Sequence, residues 1–119
     1  MKKFLYSVFA ASIAMTISAA QSAEYLSKED FGAKIVGKTL SSKTQKGKSF
    51  TSVFKSGGGG TMQIKGIKAS SISWSYSGDT LCWEAYKTKE CDKVEMKGAQ
   101  KANFIDATSG KLNNSYSIK

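Results

Sequence analysis

The 119-residue sequence contains no histidine, no arginine and no proline. Without an imidazole, the chain cannot form a Ser-His-Asp or Cys-His nucleophile, or a zinc or haem site that uses histidine. Without a guanidinium, it cannot make bidentate contacts to phosphate groups or to guanine bases. We therefore expect no catalytic residue, no metal ligand and no cofactor site.

Acidic residues are also few, nine in the whole chain. Glu84 and Glu90 flank one predicted hairpin and Asp79 falls in a predicted turn. Hydrolysis by two carboxylates needs both groups in one cleft with separated pKa values, and nothing in this spacing predicts such a cleft. We expect that the protein is not an enzyme.

Positive charge is carried by lysine alone, and 18 lysines against nine acids give a formal net charge of +9. The densest basic segment predicts either a solvated face or a surface that attracts anions. Lysine is a point charge, so such a surface would select for charge rather than shape. The lysines of this segment are Lys34, Lys38, Lys43, Lys46 and Lys48.

The one long apolar run lies at the amino end. Residues 1–3 are Met-Lys-Lys, residues 4–20 are uncharged and apolar or small, and charged sequence starts at Glu24. A basic start, an apolar middle and small residues at the end are typical of a secretory signal peptide. We predict that residues 1–23 are a signal peptide, cleaved after Ser22 or Ala23.

The remainder, residues 24–119, is short enough for one domain. It has no second apolar run, so we expect no transmembrane span, and no cysteine follows the first run, so we expect no lipid anchor. The predicted location is the periplasm or the outside of the cell, where nucleic acid is not an expected partner.

The two cysteines, Cys82 and Cys91, both lie in the predicted exported part. An even number of cysteines in an oxidising compartment indicates a disulfide. If the strands 80–86 and 91–96 form a hairpin with its tip at Tyr86 and Lys87, the two cysteines face each other. A redox or metal-binding pair is the alternative, but the C-x-x-C spacing is absent.

The rest of the pattern predicts one helix followed by short strands. Ser27 precedes two acids and is a suitable helix cap, so we predict a helix over residues 28–36 that Gly37 ends. Apolar residues then alternate with polar ones, with turn residues every 8–12 positions, which indicates antiparallel strands. The predicted strands are 38–42, 49–54, 61–65, 71–76, 80–86, 91–96, 102–105 and 112–118.

About eight short strands joined by hairpin-length turns favour an all-β, antiparallel, up-and-down barrel with one short N-terminal helix. A seven-stranded sandwich is the alternative, although it usually needs longer crossover connections. The four glycines 57–60 lack the Lys-Ser/Thr of a phosphate-binding loop, so we interpret them as a turn.

The aromatic residues predict either barrel core or a lined pocket, because an eight-stranded barrel can just hold one small ligand. Trp74, Tyr76 and Trp83 carry polar groups that a buried site must satisfy, so they are the candidates for ligand contact.

One part of the sequence resembles a known group of proteins. Ile72-Ser73-Trp74, the run 78–83 (Gly-Asp-Thr-Leu-Cys-Trp), Cys91 and the run 37–40 (Gly-Lys-Thr-Leu) are similar to small exported alphaproteobacterial proteins of unassigned activity with a lipocalin-like or avidin-like barrel. Ser71 and Ser73 depart from that pattern, which often has a glycine before the Trp strand. The resemblance implies a barrel, a disulfide and an envelope location, and it implies no catalytic residue.

Together these observations predict a non-enzymatic binding protein of the cell envelope. Its expected partner is an anionic envelope or host-surface component, or a small apolar ligand. The alternative is a secreted inhibitor of a hydrolase, of the protease type, since a basic protein would be repelled by cationic lysozymes.

Overall fold

The computed structural model describes residues 24–119, so the predicted signal peptide over residues 1–23 lies outside the described residues. One helix, α1, spans Lys28–Lys34. Nine strands follow: β1 Thr39–Lys43, β2 Ser49–Lys55, β3 Gly59–Ile64, β4 Ser70–Ser71, β5 Ser73–Ser77, β6 Thr80–Ala85, β7 Thr88–Met96, β8 Lys101–Asp106 and β9 Leu112–Ile118.

The helix begins as predicted and ends earlier than predicted. The Ser27 side chain accepts a hydrogen bond from the Asp30 amide at 3.2 Å, as an N-cap does. The amides of Ile35 and Val36 both donate to the carbonyl of Phe31, which closes the last turn and ends the helix at Lys34. The amide of Gly37 then donates to a strand carbonyl, so the chain has already left the helix there.

The strands form one antiparallel sheet in the order β4-β3-β2-β1-β9-β8-β7-β6-β5. Each strand pairs with the next one in sequence, except that β4 and β5 do not pair with each other and are separated only by Ile72. In addition, β1 pairs with β9. The amides of Ile72 and Trp74 donate at 2.9 Å to the carbonyls of Gly60 and Gly58. The sheet is therefore a nearly closed up-and-down barrel, which confirms the predicted fold class. Counting β4 and β5 as one bent strand accounts for the predicted eight.

The glycine run does more than turn the chain. Residues 56–58 form the turn, whereas Gly59 and Gly60 already belong to β3. A Cβ atom at Gly60 would lie 2.3 Å from the carbonyl oxygen of Val53, and one at Gly58 would lie 3.0 Å from that of Trp74. Glycine is therefore required where the two edges of the sheet meet.

The barrel interior is packed with aromatic rings. Phe54 lies at its centre, with ring centroids 5.5 Å from Trp83 and 6.2 Å from Phe104, mostly in edge-to-face contact. Phe104 in turn lies 4.7 Å from Tyr116. Burial of these rings supplies the main driving force for folding, and their pairwise geometry adds to it.

Helix α1 closes one end of the barrel, which we call the plugged end. Phe31, fully buried, packs its ring 5.5 Å from Phe54, 5.3 Å from Trp74 and 5.1 Å from Tyr76. The opposite end, which we call the open end, carries the connections 44–48, 65–69, 86–87 and 107–111. Within residues 24–119, no helix has the length and apolar character needed to cross a bilayer.

The predicted disulfide is confirmed. Cys82 on β6 pairs directly with Cys91 on β7, and their Cα atoms are 4.0 Å apart. The hairpin turns at Tyr86 and Lys87, which both have positive φ angles. The bond lies on the outer wall, because the flanking Leu81 and Trp83 point into the core.

Candidate functional site

The three aromatic residues predicted to contact a ligand use their polar groups within the fold. The Trp74 Nε1–H donates to the carbonyls of Lys55 and Gly59, both at 2.9 Å. The Tyr76 hydroxyl donates to the carbonyl of Leu26 at 2.7 Å. The structure thus places Trp74 and Tyr76 against the helix at the plugged end.

Trp83 lies elsewhere, and its Nε1–H donates to a carboxylate oxygen of Asp92 at 3.0 Å. Trp74 and Trp83 also border a depression of about 280 Å³ on the outer wall beside the disulfide. The polar groups of the three residues therefore bind three different sets of partners, and their role as ligand contacts stays a prediction.

The predicted basic segment is split between the two ends. Lys34 is on the helix and Lys38 precedes β1, so both lie at the plugged end. Lys43, Lys46 and Lys48 lie at the open end, beyond a strand of five residues. At about 3.3 Å per residue, β1 separates the two groups by roughly 16 Å.

The open end gathers lysines from all four of its connections and the strand residues beside them. The eight side chains are exposed, and the four connections contain no acidic residue. Within residues 24–119 the ion pairs are Lys93–Asp79 and Lys97–Glu95, so none involves this group. We call the group the lysine collar; it consists of Lys43, Lys46, Lys48, Lys65, Lys68, Lys87, Lys89 and Lys111.

Only three members of the collar belong to the predicted basic segment, because the other five are spread over the following 60 or so residues of sequence. In an up-and-down barrel, however, every second turn lies at the same end. Lysines that recur in alternate turns were the signal that could have predicted the collar.

Three carboxyl groups lie recessed inside the collar. Because Cys91 faces outward, the strand alternation directs Glu90 and Asp92 inward, and Asp106 pairs with Asp92 from the next strand. A pocket of about 160 Å³ opens over Glu90 and Asp92. Its other lining residues are Gln45, Trp83, Phe104, Asn113, Asn114 and Tyr116.

Asn113 holds the two carboxyls together. Its Nδ2 group donates to Glu90 at 2.8 Å and to Asp92 at 2.6 Å, while Trp83 donates to the other Asp92 oxygen. The β8–β9 pairing shifts register between Phe104 and Ile105, so Asn113 faces no partner in the ladder. This irregularity directs an amide from the edge of the mouth toward the carboxyls.

Burial raises the pKa of both carboxyls. Burial raises the pKa of Glu90 to about 7, and the charges of Asp92 and Asp106 add to that increase. Burial also raises the pKa of Asp92, although hydrogen bonds from Trp83 and Asn113 oppose the increase. The two groups therefore titrate as a coupled pair.

The environment of Asp92 differs from that of Glu90. Asp92 has no exposed surface and both of its oxygens accept hydrogen bonds, from Trp83 and Asn113, whereas Glu90 is half-buried at the same pocket. Within residues 24–119, no three potential ligating side chains are grouped to hold a metal ion. Glu90 and Asp92 were not predicted to be neighbours, although an outward-facing disulfide between Cys82 and Cys91 implies that both lie on the inner face of β7.

Comparison of the chain with protein-family models, with curated proteins and with solved structures gives no match.

Proposed function

We propose that the protein is a non-enzymatic binding protein of the cell envelope, which binds anionic surfaces through the lysine collar. We propose further that residues 1–23 export it to the periplasm or the medium, as a signal peptide without a lipid anchor. The disulfide is compatible with that oxidising location. The resemblance to small exported alphaproteobacterial barrel proteins supports the same location.

The observation that carries the proposal is the convergence of eight exposed lysines on one end of the barrel. Their mutual repulsion disfavours this arrangement, since within residues 24–119 no carboxylate forms an ion pair with any of them. A polyanion or charged surface would relieve the repulsion and release counterions. The recessed carboxyls, three against eight lysines, offset only part of this charge, and burial raises the pKa of one of them, Glu90, to about 7.

The interior supports this choice over an apolar ligand. The rings of Phe54, Trp83, Phe104 and Tyr116 fill the barrel in a continuous series of contacts, and Phe31 seals the plugged end. A bound apolar molecule would have to displace these rings. The surface of the open end, in contrast, is accessible without rearrangement.

Salt-dependent binding to a soluble or immobilised polyanion tests the proposal. We expect the oxidised protein, residues 24–119, to bind a polyphosphate matrix and to elute at a salt concentration that depends on the collar. The variant Lys46→Gln/Lys48→Gln/Lys65→Gln/Lys68→Gln should elute at markedly lower salt. Screening acts over about 8 Å at physiological ionic strength, so the charges nearest the matrix dominate.

A matched control removes the same charge from the other end. Lys28, Lys34, Lys38 and Lys55 are exposed and lie at the plugged end, and their replacement by glutamine should change elution much less. Equal elution of the two quadruple variants would refute the collar as the binding surface. A salt-insensitive, stoichiometric complex with a hydrolase would instead support the inhibitor alternative.

A further inference from the structure

Besides the lysines, the open end carries the two large hydrophobic side chains that are exposed within residues 24–119. Ile67 is 43% exposed in the β3–β4 connection, and Leu112 is 57% exposed at the first position of β9. Single exposed hydrophobic residues are common and need no explanation. Here, however, both occur at the same end of the barrel.

Each of the two residues is adjacent to collar lysines. Ile67 lies between Lys65 and Lys68, and Leu112 directly follows Lys111. The order of connections around the rim is β1–β2, β3–β4, β6–β7 and β8–β9, so Ile67 and Leu112 lie on opposite sides of the mouth. Two apolar side chains on opposite sides of a ring of cations fit a flat surface better than a small molecule held between them.

A lipid bilayer offers both of the required environments. Its anionic headgroups attract each nearby lysine with about 1 kcal/mol, and the acyl boundary beneath them accepts apolar side chains. A soluble polyanion satisfies the lysines and leaves Ile67 and Leu112 in water. The long lysine side chains can place their ammonium groups at the lipid phosphates while the adjacent apolar side chains enter the interface.

We propose that the open end docks on an anionic lipid bilayer, with the lysine collar at the headgroups and with Ile67 and Leu112 inserted into the interface. This inference rests on the proposed function and names the surface that the collar recognises. The barrel then stands on the membrane by its open end, with the plugged end directed away from the bilayer.

Vesicle binding by a variant without the apolar contacts tests the inference. Ile67→Ser/Leu112→Ser should weaken binding to vesicles of phosphatidylglycerol and phosphatidylcholine about tenfold. The variant lacks the apolar surface that the wild-type side chains transfer from water to the bilayer interface. Its elution from polyphosphate should stay that of the wild type, since the collar is intact. Val53→Ser, a change of an outward-facing side chain on the barrel wall, is the control and should leave vesicle binding unchanged.

A tryptophan at position 112 supplies a second readout that needs no comparison of affinities. The emission of Leu112→Trp should shift to shorter wavelength with anionic vesicles and be quenched by brominated acyl chains, and neutral vesicles should produce neither change. Unaltered emission, or equal vesicle affinity of the double serine variant and the wild type, would overturn insertion. If polyphosphate binding nevertheless depends on the collar, the proposed function stands and the partner is a soluble or polymeric anion.

Discussion

The two ends of the barrel are built from different kinds of residue. At the plugged end, α1 inserts Phe31 among three aromatic rings, and tryptophan and tyrosine donate hydrogen bonds to main-chain carbonyls. At the open end, lysines, recessed carboxyls and two exposed apolar side chains surround a small polar pocket. The contrast indicates that the plugged end supplies stability, which leaves the open end free to carry groups that do not stabilise the fold.

The largest expected effect of a single substitution is therefore at the plugged end. Phe31→Ala should lower the free energy of unfolding by about 3–5 kcal/mol, because it removes a fully buried ring from contact with Phe54, Trp74 and Tyr76. Urea denaturation of the oxidised protein measures the change. Leu112→Ser at the open end should stay within about 0.5 kcal/mol of the wild type. A loss below about 1 kcal/mol for Phe31→Ala would mean that the helix is not part of the stable core.

The sequence predicts the helix and the barrel wall better than the arrangement of groups at the open end. Local patterns determine the helix cap at Ser27 and the alternation of the strands, and the spacing of Cys82 and Cys91 determines the register of their hairpin. Each of these features depends on residues close together in the chain. Strand alternation predicted the antiparallel sheet, and the hairpin-length turns favoured a barrel over a sandwich.

The open end depends on contacts between distant parts of the chain. The collar joins four turns, and the carboxyl pocket joins Glu90 to Asn113 across two strand pairings. The register shift that directs Asn113 inward has no marker in local sequence. Such features follow from strand order and shear of the closed barrel, which hydrophobic periodicity does not determine.

The recessed carboxyls should make stability depend on pH. Burial raises the pKa of Glu90 from 4.5 to about 7, so between those values the folded protein binds this proton more tightly than the unfolded chain. The stabilisation is fully present below about pH 4.5 and is lost as the pH rises through about 7. We expect a decrease on the order of 1–2 kcal/mol, reduced from the full shift because Glu90 is only partly buried.

Glu90→Gln tests this dependence directly. The amide has nearly the shape of the protonated carboxyl and no charge, so the variant should show a flatter pH profile and exceed the wild type in stability at pH 8. Glu84→Gln, on the outer wall of β6, is the control and should follow the wild-type profile. Parallel profiles for Glu90→Gln and the wild type would show that the mouth is as well solvated as the outer wall.

The smallest expected effect concerns two turns, one at each end. Gly78, in the β5–β6 turn at the plugged end, has φ 62°, and Lys87, in the β6–β7 turn at the open end, has φ 61°. A residue with a side chain costs about 1–2 kcal/mol in this region, whereas glycine loses roughly 0.5–1 kcal/mol through its greater freedom in the unfolded chain. The plugged end thus has the more stable residue, and the open end has a lysine of the collar in its place.

Exchanging the two residue types measures what the collar costs in stability. Lys87→Gly should raise the free energy of unfolding by about 0.5 kcal/mol, and Gly78→Lys should lower it by a similar amount or slightly more. A Cβ at Gly78 meets nothing within 4 Å, so that change isolates the backbone effect. If Lys87→Gly also weakens binding to anionic vesicles, the lysine is present for its charge despite the strained turn. If both substitutions leave stability unchanged, the turn is not strained and the two ends do not differ in this respect.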